Sequence, residues 1–293
     1  MTSIGLENSL KKQLMLKTAK IIRITMKKNY KPQIETGVAD DSTLLSNSRL
    51  LELQSVLETS GVLSSAENDS IDTKFWENLE KRYPTYYVEA FKSLYMSNIN
   101  FDSNCFSKDA VNSNIWLLEE LKKIKMPLGV IFLCSGWYAT LAVMMFEHKI
   151  NFIKIRSFDL DPTAATVAEL FNRPWVINEW KFKSVTSNNT KIDFDSHNYD
   201  VLRSNGTVCN LTDSPDTVIN VNGEFTTDAT KWFNNILSGM LVVVQGSDRN
   251  TENQPNVYKN LREFDLAFPI NNVLYCDEKK LDNCTKYMKI GFK

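Results

Sequence analysis

What most constrains the fold is an alternation that begins after Pro127. Short apolar runs give way to helix-length segments: GVIFLC then ATLAVMMFEHK, KIRSFDL then TAATVAELFNR, DTVINVN then TTDATKWFNNIL, MLVVVQG then VYKNLREFDLAF. Runs this short and this apolar predict strands buried on both faces. Strands separated by helical crossovers predict right-handed βαβ units and a mostly parallel, Rossmann-like α/β sheet. The rhythm breaks at the end, where NVLYCDEKKLDNCTKYMKIGFK reads as two strands around a polar turn, a terminal antiparallel hairpin.

Upstream the texture is helical. Thr43–Thr59 carries a leucine stripe (Leu44, Leu45, Leu50, Leu51, Leu53, Leu57) stopped by Gly61, and the polar stretch Ser64–Asp72 reads as a hinge. FWENLEKRY breaks at Pro84, YYVEAFKSLYMSN resumes, and a helix is predicted over Lys108–Lys125 with cations in its last turns. The expected organisation is an N-terminal extension of basic helix and linker (1–72), a helical cap region (73–126) and a Rossmann-like domain (127–293). Lys11 to Lys31 holds eight bases and no acid. It reads as a transit or docking segment, a solvated helix, or sequence upstream of a start at Met26.

Composition excludes several classes. With 43% apolar residues in 293 a sizeable core is expected, and a formal charge of −1 gives no general attraction to nucleic acid or anionic membrane. No run reaches the roughly 18 apolar residues needed to span a bilayer. Five cysteines (Cys105, Cys134, Cys209, Cys276, Cys284) without a CxxC pair read as reduced thiols, and the expected location is the cytoplasm. The isolated His148 and His197 do not suggest zinc.

Ligands of an open α/β sheet bind beyond the carboxyl ends of its strands. Gly136 follows the first strand where the chain must turn, and a helix begins near Ala139 or Thr140. A missing side chain there lets backbone approach a ligand, while the duller reading is a permissive strand-to-helix turn. A full dinucleotide fingerprint has three glycines, and this loop has one. Asp159 closes the second strand 23 residues later, near the spacing at which an acid meets a ribose diol. Asp161-Pro162 reads as cap and first helical residue. The alternative is that both acids only cap.

CSGWYATLA, RSFDLDPTAATVAELFNRPWV, DTVIN, SGMLVVVQGSD and TKYMKIGFK, in that order, resemble the S-adenosylmethionine-dependent methyltransferase-like proteins of tailed bacteriophages, over about Phe101 to Lys293. The resemblance implies a class I methyltransferase fold, S-adenosylmethionine as cofactor, an unidentified methyl acceptor and, if phage-encoded, the host cytoplasm. By position, Cys134, Ser135, Gly136, Trp137 and Tyr138 would cradle the methionine part and Asp159 the ribose. The segment near Lys183–Ser187 would approach the adenine, without the acid expected to bind its amino group. The polar Thr-Ser-Cys-Glu-His-like signature after the fourth strand is replaced by Asn220-Val221-Asn222-Gly223-Glu224-Phe225. The Asn/Asp-Pro-Pro-Tyr and Pro-Cys signatures are also missing. Asn220, Asn222 and Glu224 therefore stand as the candidate catalytic residues, with no strong base, and methyl transfer from a sulfonium can proceed by positioning.

Other residues take plainer readings. Trp116, Trp175, Trp180, Trp232, Tyr86 and Tyr87 read as packing, Trp137 as a wall of the site, Cys134 as a small buried filler, and Lys181 and Lys183 as a solvated strand edge. Three functions follow: a methyltransferase; a catalytically retired relative acting as a structural or interaction protein, its phage or host partner met through residues 1–72; and a nucleotide-binding protein of another Rossmann type.

Overall fold

The computed structural model describes residues 46–63, 71, 73–97, 99, 101–203, 206–250 and 254–293. The chain divides into two units, Met1–Ile34 and Glu35–Lys293, and all that follows concerns the second. The Lys11–Lys31 segment, Leu44, Leu45 and most of the Ser64–Asp72 hinge lie outside the described residues.

Nine strands are described. β1 (Val130–Cys134), β2 (Lys154–Asp159), β3 (Phe182–Thr186), β6 (Thr217–Asn220), β7 (Leu241–Ser247), β8 (Asn272–Lys280) and β9 (Thr285–Phe292) form a seven-stranded sheet ordered β3-β2-β1-β6-β7-β9-β8. The first five are parallel, and β9 runs antiparallel to both β7 and β8. This is the Rossmann-like sheet with terminal hairpin that the alternation predicts. Val242, Val243 and Val244 on β7 are fully buried, which accounts for the unbroken apolar run, each side chain contributing about 1.5–3 kcal/mol. Strand order reverses between β1 and β6, so their carboxyl ends open a crevice.

Helices α1 (Asn47–Thr59), α2 (Thr73–Arg82), α3 (Tyr86–Met96) and α4 (Lys108–Lys123) precede the sheet. Ser46 caps α1, whose Leu50, Leu53 and Leu57 are buried; Gln54 donates to the Phe106 carbonyl. α4 stops at Lys123, two residues before the expected Lys125, because Ile124 turns to extended backbone ahead of Pro127. α5 (Thr140–Glu147), α6 (Pro162–Phe171), α7 (Arg173–Ile177), α8 (Ala229–Asn235) and α9 (Leu261–Ala267) are the crossovers. Tyr87 and Phe91 of α3 meet Phe106 and Phe171 of α6 with ring centroids 4.4–5.5 Å apart, which seats the helical region on the sheet layers. No described helix is long and apolar enough to cross a membrane.

Two features depart from the sequence reading. β4 (His197–Leu202) and β5 (Val208–Asp213) form a separate antiparallel hairpin between β3 and β6. Its Tyr199 and Val201 enter the core beside Phe132 and Phe158. The buried Arg156 of β2 donates through Nε to Asp213 at 2.8 Å and also to Tyr199, and Lys154 pairs with the same carboxylate. Burial alone would raise the Asp213 carboxyl; the bonds from Lys154 and Tyr199 and the charge of Arg156 bring it below its ordinary value. The second correction concerns Lys183. β3 is an edge strand, yet α6 covers its face, and Lys183 is 3% exposed, paired to Glu169 at 2.8 Å. Of the aromatics read as packing, Trp232 is fully buried, Trp175 stacks on Phe146 at 4.3 Å, and Trp116 donates to Tyr275 at 3.0 Å, whereas Tyr86 is 48% exposed and meets Trp175 edge-on at 5.3 Å.

Candidate functional site

The loop from β1 to α5 is where the backbone is least relaxed. Ser135 (φ 51°), Trp137 (φ 47°) and Ala139 (φ 52°) occupy the left-handed region, which disfavours side-chain-bearing residues by roughly 1–2 kcal/mol each. Such residues gather at ligand sites, and a run in which they alternate with others turns backbone N–H groups toward one side. Surrounding side chains hold the loop in place. Asn222 Nδ2 donates to the Ser135 carbonyl at 2.9 Å, Asn172 Nδ2 to the Ala139 carbonyl at 3.2 Å, and the Trp137 N–H to Asp159 Oδ2 at 2.9 Å. A Cβ on Gly136 would collide with the Ser157 Oγ beneath it, so the position admits only glycine without rearrangement.

Beside the loop opens a cavity of about 240 Å³. Ser135 and Trp137 line it from β1, Asp159 and Leu160 from β2, Ser187, Asn188 and Asn189 from the segment after β3, and Asn222, Phe225, Thr226 and Thr227 from that after β6. It therefore sits at the strand-order reversal. A smaller cavity of about 70 Å³ adjoins it, bordered by Ser113 and Asn114 of α4, Gly136, Tyr138, Thr140 and Gln245. Trp137 and Asn222 border both.

A neutral hydrogen-bond chain joins the three loops. Asn189 Nδ2 donates to Ser135 Oγ at 2.6 Å, Ser135 Oγ meets Thr226 Oγ1 at 3.3 Å, and Asn220 Nδ2 donates to that Thr226 oxygen at 2.8 Å. The Asn222 N–H returns to Asn220 Oδ1 at 3.1 Å. Among the described residues lining the larger cavity the single ionisable group is Asp159. Burial raises its carboxyl, opposed by N–H bonds from Asp161 and Trp137. Asp161 itself caps α6 through Thr163, as its Asp-Pro pair predicts.

The candidate residues divide accordingly. Ser135, Trp137, Asp159 and Asn222 share the larger cavity, and Gly136 and Tyr138 border the smaller. Cys134 is fully buried at the end of β1, its thiol pushed up to about 12 by burial, and forms no wall of either cavity. Asn220 is fully buried and acts on Thr226 and Asn222. Glu224 is 4% exposed, bonded through Oε1 to Lys286 at 2.6 Å and Ser247 at 3.1 Å. It stands behind the segment rather than on its cavity side. Lys183 of the predicted adenine segment points into packing, while Ser187 lines the cavity. Sequence reasoning missed Leu160, Asn188, Asn189, Thr226 and Thr227, and reached Phe225 only as the end of the Asn220–Phe225 segment. The signal available was position alone, since each follows directly on a strand or an already nominated segment. The described residues hold no cluster of His, Cys, Asp and Glu fit for a metal ion.

No protein-family model matches the chain, and no curated protein sequence matches it. Solved structures resemble it at low identity. The ribosomal protein L11 methylase of Lactobacillus delbrueckii subsp. bulgaricus shares 14% identity over 62% of this chain and 80% of its own, with a TM-score of 0.40. M. capricolum TrmK, in complex with S-adenosyl-homocysteine, shares 12% over 60% and 66%, with a TM-score of 0.38. An Aquifex aeolicus SAM-dependent methyltransferase shares 10% over 60% and 88%, with a TM-score of 0.37. Likeness at this level is one of chain path.

Proposed function

We propose that the paired cavities bind S-adenosylmethionine and that the chain transfers its methyl group to an acceptor. The observation that carries this reading is the common wall formed by Asp159 and the Ser135–Ala139 loop at the strand-order reversal. The residues fit the ligand. Asp159 stands where ribose hydroxyls would donate, and Ser187, Asn188 and Asn189 offer neutral groups to a base. Ser113, Asn114 and Thr140 offer hydroxyl and amide groups to an amino-acid end in the smaller cavity. The cofactor, when bound, supplies a methyl group already activated on sulfur. The chain's own task is then to orient and to exclude water, which Trp137 and Asn222 do where the two spaces meet. The phage-type assignment rests on the order of motifs from Cys134 to Lys293.

Calorimetric titration with S-adenosylmethionine and S-adenosylhomocysteine tests the reading. A Kd near or below ~10 μM, around −7 kcal/mol, is expected. The absence of heat and of thermal stabilisation at millimolar ligand would overturn it, as would greater stabilisation by NAD. The burial of Asn220 and Glu224 favours a second reading, a relative that keeps the cofactor site without turnover. Tight binding without methyl transfer to any acceptor would support that one.

A further inference from the structure

A third cavity, of about 710 Å³, runs along the outer edge of the sheet and shares one described residue, Ser187, with the larger cavity. Residues 184–187 line it, as do residues 197–201 of β4 and Ala165, Thr166 and Glu169 of α6. Side chains of a strand alternate between its faces, so an unbroken run of residues lines a groove with its backbone edge. Both edges are unpaired: β3 ends the seven-stranded sheet, and β4 pairs with β5 alone among the described strands.

The register shows which groups face the groove. The Ile155 N–H donates to the Lys181 carbonyl at 2.8 Å and the Ser187 N–H to the Asp159 carbonyl at 2.8 Å, so odd-numbered residues of this stretch turn their backbone groups to β2. Ser184 and Thr186 therefore turn theirs outward. The Ser184 N–H is met at 3.3 Å by Glu169 Oε1, a side chain standing where a neighbouring strand would. The Thr186 N–H has no partner among the described residues. Ser184 is 9% exposed, and its Oγ, buried in the groove wall, has none either.

The groove is also acidic. Glu169 and Asp200 are the carboxylates among the described lining residues, and burial lowers the His197 imidazole despite the charge of Asp193. Lys183 pairs with Glu169 Oε1 at 2.8 Å and Asn210 donates to Asp200 Oδ1 at 2.9 Å, which leaves Glu169 Oε2 and Asp200 Oδ2 without described partners.

We propose that this groove takes an extended peptide of a partner protein, added as a strand on the β3 edge between α6 and the β4–β5 hairpin, with a Lys or Arg side chain directed at Glu169 and Asp200. Main-chain pairing supplies what Thr186 lacks, and the base complements the carboxylates. A small cation would meet the carboxylates and leave the strand edge as it is. The inference does not depend on the cofactor reading.

The test uses the full chain and acetylated, amidated heptapeptides: Thr-Val-Arg-Val-Lys-Val-Thr, the same peptide with both bases replaced by Glu, and the basic peptide with Pro at its centre. Fluorescence anisotropy gives the affinities, and NMR hydrogen exchange reads the Thr186 amide. The basic peptide is expected to bind and to slow exchange at Thr186 by about tenfold. The Glu peptide and the Pro peptide should each bind about tenfold more weakly, one through charge and the other through lost main-chain pairing. Thr186→Pro removes an edge N–H without taking a bond from β2, and should weaken the basic peptide by about tenfold at wild-type Tm. Asp200→Lys, at an exposed position, should remove the preference for the basic over the Glu peptide. No binding of the basic peptide at millimolar concentration, equal affinity for the basic and Glu peptides, or binding that leaves Thr186 exchange unchanged would overturn the proposal. Self-association of the chain that disappears in Thr186→Pro would overturn it too, and give the edge to a second copy.

Discussion

The backbone N–H of Trp137 donates to Oδ2 of Asp159 at 2.9 Å, so the acid at the end of β2 holds the strained loop at the end of β1. One side chain thus shapes the cavity and lines it. Asp159→Ala should lower stability by about 1.5–3 kcal/mol, the range for a lost bond to an ionised group, and weaken S-adenosylhomocysteine binding at least tenfold. Asp159→Asn keeps an acceptor for Trp137 and should restore most of the Tm but not the affinity. Calorimetry and thermal melts on the three proteins decide it; wild-type affinity in the alanine variant would take Asp159 out of the site.

Gly136 lies over Ser157, whose Oγ is buried and has no partner among the described residues. Gly136→Ala overpacks that contact and should destabilise the protein by about 1–3 kcal/mol. Ser157→Ala added to it removes the colliding oxygen, and the double variant should recover at least half of the loss. Denaturant titrations of both single variants and the double give the coupling, and simple additivity would contradict the contact.

The Glu224–Lys286 pair is an anchor. Its side chains are 5% and 10% exposed, so removing one charge strands the other in the interior. Lys286→Met should cost about 3–5 kcal/mol. Lys286→Met combined with Glu224→Gln should cost less than Lys286→Met alone, because no unpaired charge remains. Equilibrium unfolding of the four-member cycle measures this.

Glu147 ends α5 and accepts the Tyr87 N–H at 3.3 Å where α3 begins, with Oε2 buried and without a partner among the described residues. Burial pushes its carboxyl from 4.5 up to about 7, against N–H bonds from Tyr87 and Tyr86. Across that window the folded chain holds the proton and the unfolded chain does not. This group's contribution to stability is therefore greatest below pH 4.5 and falls as pH rises to 7, by at most about 3 kcal/mol. Glu147→Gln cannot ionise and should flatten the profile. Unfolding at pH 5 and pH 8 checks it, and an identical slope in the variant would assign the pH dependence elsewhere.

The parallel strands β1 and β7 were legible because burial on both faces leaves an unbroken apolar run, VIFLC and LVVV, while β2 and β6 were legible from their place in the alternation with helical segments. The terminal hairpin was legible from its polar turn. The β4–β5 hairpin was not read, although Tyr199 and Val201 alternate with Asn198 and Asp200 and Asn205-Gly206 is a turn dipeptide. Its weak alternation is outweighed by Asn and Asp, and its place is set by Arg156 and Lys154, dozens of residues away in sequence.

At the site the division is sharper. Local chemistry alone marked Gly136 as a close approach, Asp161 as a cap and Asp159 as a strand-end acid. Whether a polar residue faces a cavity or the interior depends on what packs against it from distant sequence. Lys286, 62 residues beyond Glu224, turned a nominated catalyst into an anchor, and Glu169 drew Lys183 inward from an edge strand. The same packing left Phe225 at the cavity wall. Periodicity encodes which face of an element is buried; only the folded chain brings together the partners that decide which polar groups remain free.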